Sequence, residues 1–142
     1  MKNVLMCTCA EKWGDVAPLV LRVATGLVFF MHGWQKLQGG VPGVAQFVGG
    51  LGFPAPELFA VLLIAAEVLG GAALILGVFT HWAAKISAFV AIVAWITVHL
   101  KGGFFLSDGG YEFIMVLFAA AVSIMISGPG KYSLDHKWFH KK

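Results

Sequence analysis

Three side chains able to carry a proton or hold a polar ligand lie inside long apolar runs: His32, Glu67 and His99. An imidazole changes charge near neutral pH. A carboxylate surrounded by hydrocarbon takes up a proton unless a partner stabilises its charge. At a helix rise of about 1.5 Å per residue, His32 and His99 fall at nearly one depth, with Glu67 about a turn below. The expectation is one shared pocket: two imidazoles over a carboxylate floor, Lys36 and Glu112 at the rim, Phe29 and Trp95 as aromatic walls. Arg22 lies deeper, towards the opposite surface, as a partner for Glu67 or a further ligand contact.

Several polar residues also have an explanation that needs no ligand. Lys36 and Lys101 can run their stems along apolar surface and keep their charge at an interface. Glu112 begins a helix, where an acid is favourable by itself. Glu67 can be neutral and hydrogen-bonded to a neighbouring helix, or ion-paired with Arg22. His99 stands near an interface.

The elements that must position these groups follow from the apolar runs. Pro18 to Leu37 is long enough to cross a bilayer, which takes about 20 apolar residues. Arg22, Thr25, Phe29, His32, Gly33 and Lys36 fall on one side of it at helical spacing. Lipid cannot solvate that stripe, so it should face other helices or a water-filled cavity. Gly39, Gly40, Pro42 and Gly43 end the run, and a short interfacial helix is expected near 43–50. Further spans are expected over about Pro56–Val78, Ala83–Leu100 and Tyr111–Ser127, with Thr80, His81 and Trp82 as a tight turn. Small residues at three- and four-residue spacing, such as Ala66, Gly70 and Gly71, allow close helix packing. The expected fold is all-α: an integral membrane antiparallel four-helix bundle with a short interfacial helix between helices one and two. Residues 1–16 form a leader, 17–128 the membrane domain and 129–142 a basic tail.

Composition agrees. Of 142 residues, 59% are hydrophobic and 12% charged, against about a quarter charged in soluble domains. The chain therefore belongs in the lipid bilayer. No cleavable signal peptide is expected, since the first apolar run is already of spanning length. The basic residues cluster at the chain ends, so there is no nucleic-acid footprint. Lys2, Lys12, Lys85, Lys131, Lys137, Lys141 and Lys142 fall on one side, Lys36 and Lys101 on the other. The positive-inside rule then puts both termini in the cytoplasm of a cell (inner) membrane.

No haem, flavin or iron–sulfur motif is present, and two cysteines are too few for a cluster, which takes about four ligands. Two histidines and two carboxylates could ligate a metal, but they come from separate helices with no ligand motif, and no metal is expected. Cys7, Cys9, His136 and His140 form a zinc-type set. The Cys-x-Cys spacing is tight and nothing local joins the two tails, so an unliganded state is expected.

The residues also resemble a known family. Arg22 with Gly26, His32-Gly33 and Lys36-Leu37 is similar to the first helix of the DoxX family. Glu67 with Gly70-Gly71 and Gly77 is similar to its second helix. Glu112 and the run Gly128-Pro129-Gly130-Lys131-Tyr132-Ser133-Leu134-Asp135 resemble its fourth helix and tail. The resemblance spans about residues 17–135. It implies a four-helix membrane protein with a quinone-related or redox-accessory role, working with a membrane-bound or soluble oxidoreductase partner. The expectation is a subunit that binds quinone: His32 and His99 would hold a carbonyl oxygen and Glu67 would relay protons. The alternatives are a non-enzymatic accessory subunit of a larger membrane complex and, ranked last, a small-molecule carrier. Whether the chain is itself an enzyme is left open.

Overall fold

The chain folds as a set of antiparallel helices, seen in a computed structural model that describes residues 13–139. In order these are α1 (Val16–Gly39), α2 (Val41–Gly50), α3 (Pro56–Leu76), α4 (Thr80–Ala94), α5 (Glu112–Ser127) and α6 (Leu134–Phe139). No strand occurs among the described residues. A π-helical turn, Trp95–His99, and a 3₁₀ turn, Leu100–Gly102, extend α4. Three helical segments are long and apolar enough to cross a membrane: Val16–Gly39, Pro56–Leu76 and Thr80–Gly102. The fourth apolar helix, α5, has 16 residues. At about 24 Å it is shorter than the hydrocarbon core of about 30 Å. The start of α1, the α3–α4 turn and α6 lie at one end of the assembly, the terminal end. The loop end carries α2 and residues 100–111.

Glycines set the tightest helix pairing. A Cβ on Gly26 would stand 2.7 Å from the Gly71 carbonyl oxygen, and one on Gly71 would stand 2.4 Å from the Phe30 nitrogen. A Cβ on Gly33 would stand 2.7 Å from the Glu67 Cβ and the Val68 nitrogen. α1 and α3 therefore meet backbone to backbone along Gly26, Gly33 and Gly71, as membrane helices do when small residues line the seam. Phe29, Ala91 and Leu117 fill the space between α1, α4 and α5, and Leu74, Ala84 and Ile124 fill the other end.

α2 explains an offset. Val44, Ala45 and Val48 pack on Ala60 and Ile64 of α3. Gly33 meets Glu67, so the end of α1 at Gly39 is level with roughly residue 61 of α3. The first turns of α3 thus project beyond α1, and α2 covers them.

Thr80, His81 and Trp82 are not a free turn, as expected from the sequence, but the first turn of α4. The reason is a distant cap. Asp135 accepts the backbone N–H groups of Phe79 and Thr80, both at 2.8 Å. An N-terminal cap satisfies donors that the helix itself cannot. Phe79 is held there in the left-handed region, with φ 47°, which is uncommon for a bulky residue.

Candidate functional site

The polar centre of the bundle is an ion pair between Lys36 and Glu67. Lys36 Nζ donates to both carboxylate oxygens, at 2.8 Å to Oε1 and 2.6 Å to Oε2. Local sequence places each partner for its own reason. Lys36 follows Gly33 by three residues, so it lies on the seam face of α1. Glu67 precedes Gly71 by four and shares the seam face of α3. The offset made by α2 then brings the two to one level.

Glu67 is buried, whereas the Lys36 side chain retains 26% of its exposure. An ammonium has three N–H donors, and two are directed at Glu67. The third can reach an acceptor oxygen arriving from the exposed side. The carboxylate can exchange a proton through the same ammonium. The arrangement is thus suited to hydrogen-bonding and protonating a small polar headgroup at the edge of the bundle.

Arg22 is not part of this centre. It lies about eight residues, roughly 12 Å, further along α3. Its Nη1 donates to the carbonyls of Leu74 at 2.8 Å and Ile75 at 2.5 Å, and its Nη2 donates to the Tyr132 carbonyl. Arg22 therefore closes the C-terminal end of α3 and ties down the segment after α5. The expected pairing of Arg22 with Glu67 is replaced by Lys36 with Glu67. A residue expected to extend its charge to an interface turns inward instead, because glycine at 33 lets α3 come within reach.

The histidines do not converge on Glu67. His32 is exposed on the outer flank of α1, in a shallow groove of ≈ 330 Å³ with Met31, Trp34, Gln35 and Gln38. Gly33, not its neighbour, faces Glu67. The half-buried His99 places Nδ1 3.2 Å from the Gly109 carbonyl oxygen, a bond that needs the proton on Nδ1. It secures the 100–111 loop. Glu112 has a similar part, accepting the Leu106 N–H at 2.6 Å. The shared pocket of His32, Glu67 and His99 with Glu112 at its rim is therefore not formed.

The two aromatic residues expected as walls, Phe29 and Trp95, both lie near Phe118 but line no pocket with His32, Glu67 and His99. Phe29 is buried against Ala91 and Leu117, with Phe118 packed alongside. Trp95 stands edge-on to Phe118 at 6.2 Å and stacks on Tyr111 at 5.4 Å. Tyr111 was not singled out from sequence; its position beside four glycines of the loop was the available signal.

The tail is equally well placed. Asp135 also donates its backbone N–H to the Gly77 carbonyl at 2.8 Å, and Ser133 Oγ donates to the Gly130 carbonyl at 2.7 Å. So Gly128–Asp135 is a strap under the bundle rather than a loose appendage. Among the described residues no group of three or more His, Cys, Asp or Glu could hold a metal ion. Cys7, Cys9 and His140 lie outside the described residues.

The model of the DoxX family matches residues 17–100. A Bacillus subtilis (strain 168) protein named "Putative oxidoreductase CatD" is 35% identical over 121 residues, covering 85% of this chain and 86% of that protein. Two inner membrane proteins of Escherichia coli (strain K12) are also similar. YphA is 28% identical over 84% of this chain and 88% of its own length. YqjF is 27% identical over 90% of this chain and 99% of its own length. No solved structure matches.

Proposed function

The chain belongs to the DoxX family of membrane proteins, and from that premise we propose that it is a quinone-binding membrane component that works with an oxidoreductase. The observation that carries this reading is the two-pronged Lys36–Glu67 pair, a polar centre in an apolar helix seam. Ionisable groups inside a span are costly and mark functional sites by default. Lys36 donates its remaining N–H to a quinone carbonyl oxygen. Reduction of that oxygen draws its proton from the Lys36 ammonium, and the Glu67 carboxylate takes up a replacement proton and relays it to the resulting amine. The electrons come from a membrane-bound or soluble oxidoreductase partner; the Bacillus subtilis relative, itself named "Putative oxidoreductase CatD", supports a redox setting. A further part of the proposal is arrangement: four spans, α5 being the fourth, with both termini in the cytoplasm and the Lys36–Glu67 pair nearer the outer surface.

The test is direct. Purified protein in mild detergent is extracted with organic solvent and the extract searched for quinone. Bound quinone, or uptake of added quinone by extracted protein, supports the reading. Protein that carries none and takes up none contradicts it.

A second reading has its own observation. His32 is exposed on α1 beside Gln35 and Gln38, and polar side chains on a span are adhesive towards other membrane helices. That favours an accessory subunit docked to a larger complex through this flank. Gentle solubilisation followed by native mass spectrometry separates the two: a free monomer under all mild conditions contradicts the accessory reading.

A further inference from the structure

We infer that the terminal end of the protein is a binding surface for anionic phospholipid headgroups, built from Lys85 and Trp82 on α4 and from Lys131, Tyr132, Lys137 and Trp138 on the strap. All six are exposed.

Position comes first. The strap is held to the bundle at several points. Arg22 donates to the Tyr132 carbonyl, Asp135 caps α4 through Phe79 and Thr80, and the Asp135 N–H reaches the Gly77 carbonyl. Lys131 and Lys137 stand four residues before and two residues after that anchor. Lys131 thereby stands at the start of α1, 3.5 Å from Asp15, and Lys137 follows the anchor on the start of α4, so both share the terminal end with Lys85. Lys85 Nζ itself sits 4.5 Å from the centre of the Trp82 ring, a cation–π geometry that keeps an ammonium beside an amphipathic ring.

Charge comes second. The acids at this end are largely committed. Both carboxylate oxygens of Asp135 are taken by backbone N–H groups. Asp15 reaches Lys131 at 3.5 Å, but both side chains remain 60% exposed, and such surface pairs bind weakly. Lys85 and Lys137 have no acid opposite them among the described residues. At the loop end the balance reverses, since Lys101 shares the surface with Glu57, Asp108 and Glu112. One end of the protein is thus electropositive and the other is not.

Chemistry decides the occupant. Lys85 lies over Trp82, and Lys131 and Lys137 are each followed in the chain by an exposed aromatic residue, Tyr132 and Trp138. Tyr and Trp settle at the headgroup level of a bilayer, and lysines near an anionic leaflet gain about 1 kcal/mol each. A phospholipid with a net negative headgroup satisfies both features together. A soluble anion would use the lysines and leave the rings idle. The surface does not depend on the Lys36–Glu67 site, which lies at the other end of α1.

Thermal melting of the full chain in detergent, with added phosphatidylglycerol or phosphatidylcholine, tests the inference. Phosphatidylglycerol should raise the melting temperature more than phosphatidylcholine does, and 0.5 M salt should shrink the difference, as screening requires. Lys85→Gln, Lys131→Gln and Lys137→Gln should each weaken phosphatidylglycerol binding about fivefold, since about 1 kcal/mol per lysine corresponds to that factor. Lys101→Gln should leave it unchanged, and Lys→Arg at the three sites should preserve it, which separates charge loss from misfolding. Equal effects of the two lipids, or a phosphatidylglycerol effect that survives all three Gln substitutions, would overturn the inference. So would inorganic phosphate reproducing the full shift, because that result identifies a soluble-anion site.

Discussion

Lys36 on α1 and Glu67 on α3, 31 residues apart, are joined by two hydrogen bonds of 2.8 and 2.6 Å inside an apolar helix seam. Removing one partner strands the other. Breaking a buried pair takes about 3–5 kcal/mol in soluble proteins, and membrane interactions are usually smaller. Lys36 is also partly exposed, so screening lowers the figure further. Lys36→Ala should therefore destabilise by about 1–2 kcal/mol in an SDS unfolding titration, the lower range that follows from these corrections. The double change Lys36→Ala with Glu67→Gln should recover part of that loss, because the stranded carboxylate is gone. Strictly additive losses would show that the pair contributes nothing as a pair.

Gly33 sets the distance at which that pair forms. A methyl group there meets the Glu67 Cβ and the Val68 nitrogen at 2.7 Å, and both lie at the root of α3 rather than at a flexible tip. Gly33→Ala should force the helices apart, at about 1–3 kcal/mol for overpacking. Gly43→Ala is the matched control. It sits in α2 with open space around its would-be Cβ, so it should be neutral or gain about 0.5–1 kcal/mol from helix propensity. Circular dichroism melts of both variants check this, and equal effects would contradict the close seam.

Arg22 and Asp135 belong to a separate unit, the closure of the terminal end. Asp135→Ala removes the cap of α4 and should lower stability by about 0.5–2 kcal/mol. Arg22→Ala removes the donor to three carbonyl oxygens and should be at least as damaging. Arg22→Ala combined with Glu67→Gln should give summed losses, since distant sites without shared partners add within about 0.5 kcal/mol. Recovery in that double variant would mean that Arg22 and Glu67 interact after all.

The arrangement in the membrane gives one more expected outcome. A cysteine replacing Gly50, in a chain without Cys7 and Cys9, should react with an impermeant thiol reagent in intact cells. A cysteine replacing Tyr132 should react only after permeabilisation. The reverse pattern would place the termini outside.

Much of this was legible in the sequence, and for identifiable reasons. The run from Pro18 to Leu37 announced a span with one polar face, and Arg22, Thr25, Phe29 and Gly33 are indeed its buried face. Glycine and alanine spacing announced close packing, which the Gly26–Gly71 contact delivers. The short helix near 43–50 was legible because Val44 and Val48 share a helical face. What failed was depth. Counting helix rises placed Glu67 about a turn below His32, whereas Glu67 meets Gly33, because α3 starts well beyond the end of α1 and is covered there by α2. That offset is a tertiary fact with no local signal, and it is why Lys36 rather than Arg22 meets Glu67. His32 failed through angle: it lies next to the seam residue Gly33, about 100° round the helix from it, and emerges on the flank. The start of α4 at Thr80 depends on Asp135, 55 residues later, so no window around residue 80 could reveal it.

The central claim is that the Lys36–Glu67 pair receives a quinone headgroup, and affinity tests it most directly. Binding of a water-soluble quinone analogue to protein in lipid nanodiscs is measured by fluorescence quenching for the natural chain, Lys36→Met, Glu67→Gln and, as control, Lys101→Met. Losing a hydrogen bond from a charged donor removes about 1.5–3 kcal/mol, so Lys36→Met should weaken binding tenfold or more. Glu67→Gln should keep binding within a few-fold, and Lys101→Met should match the natural chain. Equal affinity for Lys36→Met and the natural chain, or no binding by the natural chain at any concentration tested, would contradict the claim.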